Sequence, residues 1–330
     1  MTTKGIDAAS LSEEQFQENL SILGHYINPL SDWGFKKLFG SEINKELLLE
    51  FLNVIIDDKD LFIQSIQYIK TEHKGLTDRD RSAVFDISCK TDKGERFIVE
   101  MQNTSMTFFS ERMLYYATFP VQEQAKKGKW DYSLDPVIMI GILNFSNPKH
   151  KEDDHNFYYY DIKERYSGEV MTDKLRFIVV EVEKFNKTID ENSSLRDKWL
   201  YVLKNMQRLY ERPHALQAKI FKQLFDVAKV SALSRDEQIN YMNAIFAEND
   251  EYSRLKHQKE IGLLEGEKIG IEKGERIGIE KGERIGIEKG EKIGMEKGIV
   301  NIAKNLKNSG FSNEVIAQNT GLSIGEIELL

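Results

Sequence analysis

Residues 84–102 read VFDISCKTDKGERFIVEMQ, and the fold follows from how that stretch is read. Two strand-like runs, 82–91 and 96–102, flank Asp92-Lys93-Gly94. A three-residue loop with glycine in the left-handed position is a common way to join antiparallel strands. With that loop Thr91 faces Glu95, and counting outward sets Asp86 directly opposite Glu100. Gln102 lies two residues on and points the same way, because side chains alternate along a strand. Phe85, Ile87 and Cys89 then share the other face with Phe97, Val99 and Met101, and that face is expected to be core. Val84, Asp86 and Ser88 with Ile98, Glu100 and Gln102 form a mixed lining.

Two facing carboxylates repel unless something sits between them, and a divalent cation is a natural occupant. Mg²⁺ takes one or two carboxylates and keeps several waters. Such an ion activates a water and stabilises the charge that builds on a phosphodiester. The expected metal ligands are Asp86 and Glu100, with Mg²⁺, or Mn²⁺ in its place, as the ion. Gln102 is the third expected site residue. Its amide can orient a water or a phosphate oxygen but cannot act as a base. A polar hairpin face has a plainer reading, in which the opposed acids are simply solvated. The spacing leaves both open.

Outward from the hairpin, Ser12 and Gln15 predict a capping box on a first short helix. Ser31 or Asp32 can cap a second, which Gly40 closes. A third helix at 44–56 carries Leu47, Leu48, Phe51, Leu52 and Ile55 on one face. A strand at 62–69 precedes the hairpin. A helix at 107–127 follows it, with Pro120 as a kink and Gly128 as a stop. The nearly continuous apolar run 136–145 reads as a fully buried strand. Two further strands fall at 157–162 and 175–182. The order helix, three strands, helix, strand predicts an α/β fold with a mixed sheet flanked by helices.

Asn192-Ser193-Ser194 looks like a boundary. Beyond it, helical stripes run from Leu195 to Tyr210, from Leu216 to Ala228 and over 237–246, giving a helical C-terminal half. Residues 261–300 repeat with a period of eight, IGIEKGER and its variants, with glycine at every fourth position from Gly262 to Gly298. Each glycine in a helix interior costs about 1 kcal/mol against alanine. Glu-to-Arg or Glu-to-Lys pairs four apart return only about 0.2–0.5 kcal/mol each. An isolated helix is therefore not expected to hold there. The segment either fluctuates or packs on a partner, most simply another copy of itself, which makes a homo-oligomer through the repeat. The expected organisation is a domain at 1–190, a helical region at 191–258, the octapeptide repeat at 259–298 and a short helical tail at 299–330.

The net charge is −8, so no global basic signature points to nucleic acid. Binding to DNA would need a local basic face or metal-bridged phosphates. Cys89 is the single cysteine, which excludes an internal disulfide and a multi-cysteine zinc site. A reducing cytoplasm fits best. The polar start MTTKGIDAAS has no signal-peptide core. The longest apolar run, Val137–Leu143, is too short to span a bilayer, so no membrane partner is expected. His150, Asp153, Asp154 and His155 could bind a metal on paper, but a charged loop of this kind is usually solvated.

The run VFDISCKTDKGERFIVEMQ resembles the second motif of the PD-(D/E)XK nuclease superfamily, and the element order matches that superfamily's restriction-endonuclease-like core. More narrowly, NPLSDWGFKKLFG, NKELLLEFLNVII, the ExQ ending at Gln102 and SERMLYYATFPVQEQAKKGKWDY resemble the recombination-promoting nuclease (Rpn) family of transposase-like proteins. The match covers about 28–145. The resemblance implies a Mg²⁺-dependent DNA endonuclease linked to recombination or mobile DNA, with Asp86 and Glu100 on the metal. Gln102 stands where the wider superfamily has its catalytic lysine, a departure that this family shares. An acid from the first core helix often joins sites of this kind; Glu46 or Glu50 could serve, and either is equally a solvated helix residue. Asp32, Phe35 and Lys36 match the entry motif, which is equally the pattern of a capped helix with a buried Phe. Arg112, Tyr115 and Tyr116 lie where relatives contact substrate. The alternative is a catalytically weak or inactive nucleic-acid-binding or interaction protein. A transcriptional regulator rests on the tail alone, where too few residues follow Thr320-Gly321-Leu322 for a recognition helix.

Overall fold

The structure, a computed structural model, describes residues 7–56, 58, 61–73 and 83–330. Helix α1 (Glu13–Ile22) opens with the expected reciprocal Ser12–Gln15 capping box. Helix α2 (Asp32–Phe39) is capped by Ser31, whose Oγ accepts from the Gly34 amide at 3.1 Å. Gly34 is required by close approach, since a Cβ there would lie 2.0 Å from the Asn28 carbonyl oxygen. Helix α3 (Lys45–Ile56) buries the predicted leucine stripe.

The strands that follow are β1 (Ile66–Tyr68), β2 (Glu72–His73), β3 (Ala83–Val84), β4 (Ile87–Thr91) and β5 (Arg96–Gln102). Ser82, at the start of the first expected hairpin strand, lies outside the described residues. Gly94 has φ +104°, as the three-residue loop demands. Helix α4 (Phe109–Gln122) contains Pro120 and stops short of Gly128. There the Gln124 side chain folds back onto the Pro120 carbonyl and the Asp135 amide. Strand β6 (Val137–Leu143) is buried along its whole length. Strands β7 (Phe157–Lys163) and β8 (Val170–Glu181) close the sheet, and β8 extends beyond the expected strand because it pairs with β7 across the turn at Gly168, φ +74°.

Among the described residues the main sheet has six strands in the order β1-β4-β5-β6-β8-β7. β5, β6 and β8 run parallel, and the other pairings are antiparallel. The sheet is mixed and flanked by helices, the restriction-endonuclease-like PD-(D/E)XK architecture. In the hairpin Ile87 pairs with Val99 and Cys89 with Phe97, the register obtained by counting from the loop.

One sheet face packs Ile87, Cys89, Phe97, Val99 and Met101 against α1, α2, α3 and the later helices. The other packs Ile98, Met139 and Val179 under Phe109 and Met113 of α4. Phe85 departs from expectation. It joins Ala83 on the α4 side, against His73 and Tyr116, rather than Ile87 on the opposite face. The chain bends at Asp86 between β3 and β4, which breaks the alternation that a single continuous strand would impose.

Helix α5 (Leu195–Asn205) ends before Tyr210, in a 3-10 turn at Met206–Arg208. With α6 (Lys219–Ala228) and the first turns of α7 (Arg235–Asn308) it buries Trp199, Phe221 and Tyr241 in the core that also covers the sheet. Contacts divide the chain into two compact units, Met1–Ser253 and Arg254–Leu330. The second holds the rest of α7, α8 (Asn313–Thr320) and α9 (Ile324–Glu328), with a small core at Ala303, Ile316 and Ile327.

The repeat corrects an expectation, because α7 runs unbroken through it for 74 residues. The glycine cost is real, but a helix already seeded by packed turns at both ends avoids the cost of nucleation. Tyr241 and Met242 are buried before the repeat and Ala303 after it. Ile269, Ile271, Ile277 and Ile279 between them are exposed. Among the described residues no helix is long and apolar enough to cross a membrane.

Candidate active site

Parallel strand β5 carries Glu100 and Gln102 on its α4 face, and the bend before β4 turns Asp86 toward them. The Asp86 amide donates to Glu100 Oε1 at 3.3 Å, and Asp86 Oδ2 accepts from the Met101 amide at 2.8 Å. The two carboxylates are therefore held against one another by backbone. Gly141 pairs with Glu100 on the neighbouring strand, and a Cβ there would lie 2.5 Å from Phe109 Cζ. That glycine lets α4 sit close over the sheet, which brings Arg112 Nη2 to 3.4 Å from Glu100 Oε2. Arg112 also lies over the Tyr116 ring.

Both acids are largely withdrawn from water, with side chains 14% exposed for Asp86 and 7% for Glu100. Burial, then the nearby Asp86 charge, pushes Glu100 up to about 8, with Arg112 pulling the other way. Burial likewise raises Asp86 against the Met101 amide and Lys36, which favour its charge. The pair holds more negative charge than its surroundings compensate.

Lys36 of α2 reaches in from the other side, its Nζ 3.1 Å from Asp86 Oδ1 and 2.6 Å from Asp32 Oδ1. Burial works against the Lys36 charge, but Asp32 and Asp86 outweigh it and hold the ammonium above the ordinary lysine range. Glu248, on the first part of α7, accepts from the Asp32 amide at 2.9 Å and from Asn103 Nδ2 at 3.2 Å. Asn103 in turn accepts from Asn144 at 2.7 Å.

These groups line one cleft of about 790 Å³, which holds Asp32, Asp86, Glu100, Gln102, Arg112 and Glu248. All three expected site residues thus face the same space. Neither Glu46 nor Glu50 lines it, so the extra acids of the cleft are Asp32, Glu248 and Glu251. Asp32 stands in the entry segment. Glu248 has no sequence signal, since only the packing of α7 beside α2 brings it in. Tyr116 packs on Phe85 and Tyr115 on Phe119, in the aromatic layer of α4. His150 and Asp153 gather instead around Glu181 and Lys184 at the end of β8.

Among the described residues no group of three or more His, Cys, Asp or Glu side chains is placed to hold a metal ion. Two carboxylates with water completing the shell nonetheless fit the donor set of Mg²⁺. Lys36 Nζ lies 3.1 Å from Asp86 Oδ1, and burial with the neighbouring Asp86 charge raises Glu100.

A family model described as PD-(D/E)XK nuclease family transposase matches residues 29–258, more than half of the chain. No curated protein and no solved structure matches it.

Proposed function

We propose that this chain, which belongs to the PD-(D/E)XK nuclease family transposases, is a metal-dependent DNA endonuclease whose ion is held by Asp86 and Glu100. The observation that carries the reading is the pair itself, two buried, undercompensated acids facing one cleft beside an arginine. Undercompensated buried acids in clefts are where chemistry concentrates.

Bound there, Mg²⁺ or Mn²⁺ would supply an activated water and charge neutralisation at a phosphodiester. The Met101 amide keeps Asp86 oriented, so the site is preorganised before any ligand arrives. Gln102 presents an amide that orients water or a phosphate oxygen. Arg112 offers a second positive charge once the ion shares Glu100. Because the chain is acidic overall, DNA contacts are local, and affinity for DNA falls steeply with salt. The test is plasmid cleavage with Mg²⁺ or Mn²⁺ against EDTA. Cleavage that survives EDTA, or that is absent with either ion, defeats the reading.

The alternative, an inactive nucleic-acid-binding or interaction protein, draws on one observation: the described residues offer the ion two acids and no third ligand of that kind. The same assay decides between them. A cytoplasmic setting, a role with recombination or mobile DNA, and a division into nuclease domain, helical region, repeat and tail belong to this reading. So does self-association through the repeat, whose isoleucines are uncovered along α7.

A further inference from the structure

The cleft is lined by five acids, Asp32, Asp86, Glu100, Glu248 and Glu251, and by the cation Arg112, while Lys36 is ion-paired with two of those acids, Asp32 and Asp86. Arg112 is paired with Glu100, while Lys36 serves the opposite acid. Its helix is fixed by unrelated contacts. Phe35 and Phe39 are fully buried, Ser31 caps the first turn, and the Asp32 amide is held by Glu248. The neighbouring Lys37 pairs with Glu237, so the helix phase gives Lys36 rather than Lys37 to Asp86.

A lysine ammonium has three donors. One is given to Asp32 and one to Asp86. A cation binding Asp86 must compete with this ammonium. A Lys36 displaced from Asp86 keeps its second partner, Asp32. Gln102 brings only a neutral amide to the same space.

Building on the nuclease reading above, we propose that Lys36 is an exchangeable cation of the site. It neutralises Asp86 Oδ1 when no metal is bound. When an ion takes Asp86, it swings on its Asp32 tether to donate to the attacking water or the scissile phosphate. Lys36 is thus both a competitor of the ion and the positive charge that the cleavage step uses.

This double role predicts opposed effects. Lys36→Met should bind Mn²⁺ more tightly than wild type, by roughly three-fold or more for the loss of a partly exposed pair. Its cleavage rate should fall about 100-fold, in the range for loss of a positioned donor. Lys36→Arg should keep Mn²⁺ affinity near wild type, since the charge stays. The side chain is 42% exposed, so Lys36→Met should fold, and thermal unfolding checks that.

Mn²⁺ binding is titrated calorimetrically without DNA, and cleavage is measured at saturating ion. Wild type that binds no Mn²⁺, or Asp86→Asn that binds it as well as wild type, defeats the nuclease reading and this exchange with it. Wild type that binds and cuts, beside Lys36→Met with unchanged affinity or unchanged rate, overturns the exchange alone. Weaker binding together with slower cleavage in Lys36→Met also overturns it, because that is the signature of a purely structural residue.

Discussion

Two buried glutamates on one face of the sheet have opposite surroundings. Glu100 lies near the end of β5, and Glu181 ends β8, in register with Gln102 through Leu143 of β6. Glu181 is fully buried, yet it is enclosed by its own partners. His150 Nδ1 bonds its Oε1, and Lys184 Nζ lies 3.3 Å from its Oε2. The same lysine donates to Tyr158 Oη at 2.6 Å and to the Asp153 carbonyl at 2.9 Å. His150 stacks on Tyr158 at 3.6 Å between ring centres. Glu100 has a long amide contact, Arg112 at 3.4 Å and a second acid beside it. A buried acid held between a histidine and a lysine keeps a loop in place. One left short of positive charge at the wall of a cleft is prepared for a ligand.

Removing the acids should separate the two regions most sharply in activity. Asp86→Ala and Glu100→Ala should each lower plasmid cleavage by roughly a thousand-fold, the scale of losing a metal's contribution to the barrier. Neither should lower the thermal midpoint, because neither acid is well compensated. A variant that unfolds, or one that cuts like wild type, would place Glu100 in the same class as Glu181.

Glu181→Ala should act in the opposite sense. It leaves His150 and Lys184 facing a cavity and should cost about 3 kcal/mol in urea unfolding, as for one partner taken from a buried ion pair. An unchanged urea midpoint would mean that the network around β8 is not structural.

Stability against pH gives a finer contrast. In metal-free protein Glu100 is held at about 8, against roughly 4.3 in an unfolded chain. Across that window the folded state keeps a proton that the unfolded state has lost. The contribution is full below the unfolded value and disappears as pH rises through 8. Wild type in EDTA should lose on the order of 5 kcal/mol between those limits relative to Glu100→Gln. Parallel curves for the two proteins would contradict the assigned burial cost, and saturating Mn²⁺ should flatten the wild-type curve.

The smallest effect is expected far from either acid. Deleting residues 261–298 should leave cleavage per protomer and the unfolding of the first unit nearly unchanged, while the sizing profile moves to smaller species. A well-folded deletion variant that no longer cuts would tie the repeat to the site.

Much of the site's skeleton was legible because it is local. A turn of three residues sets a register, and the register carries through Thr91, Cys89 and Ile87 to the Asp86–Glu100 pair. Phe85 escaped this reasoning because the count assumes an unbroken strand, and the bend at Asp86 is a tertiary event under α4. The length of α7 escaped it because propensity sums treat a segment as isolated. An Asn-Ser-Ser turn at 192–194 marks a break in secondary structure, whereas the burial of Trp199 and Phe221 depends on faces that meet only when the chain folds.

From the sequence alone came the caps of α1 and α2, the leucine stripe of α3, the hairpin count and the identity of the two facing acids. These rest on backbone periodicity and on hydrogen bonds that reach three or four residues. The tertiary structure decided which charges surround those acids. It brought Lys36 from α2, Arg112 from α4 and Glu248 from α7, and it left Glu46 and Glu50 outside. Partners so far apart in the chain are chosen by which helix faces bury together. Gly141 lets α4 come close over the sheet, and Gly34 lets the segment 27–31 fold back against α2.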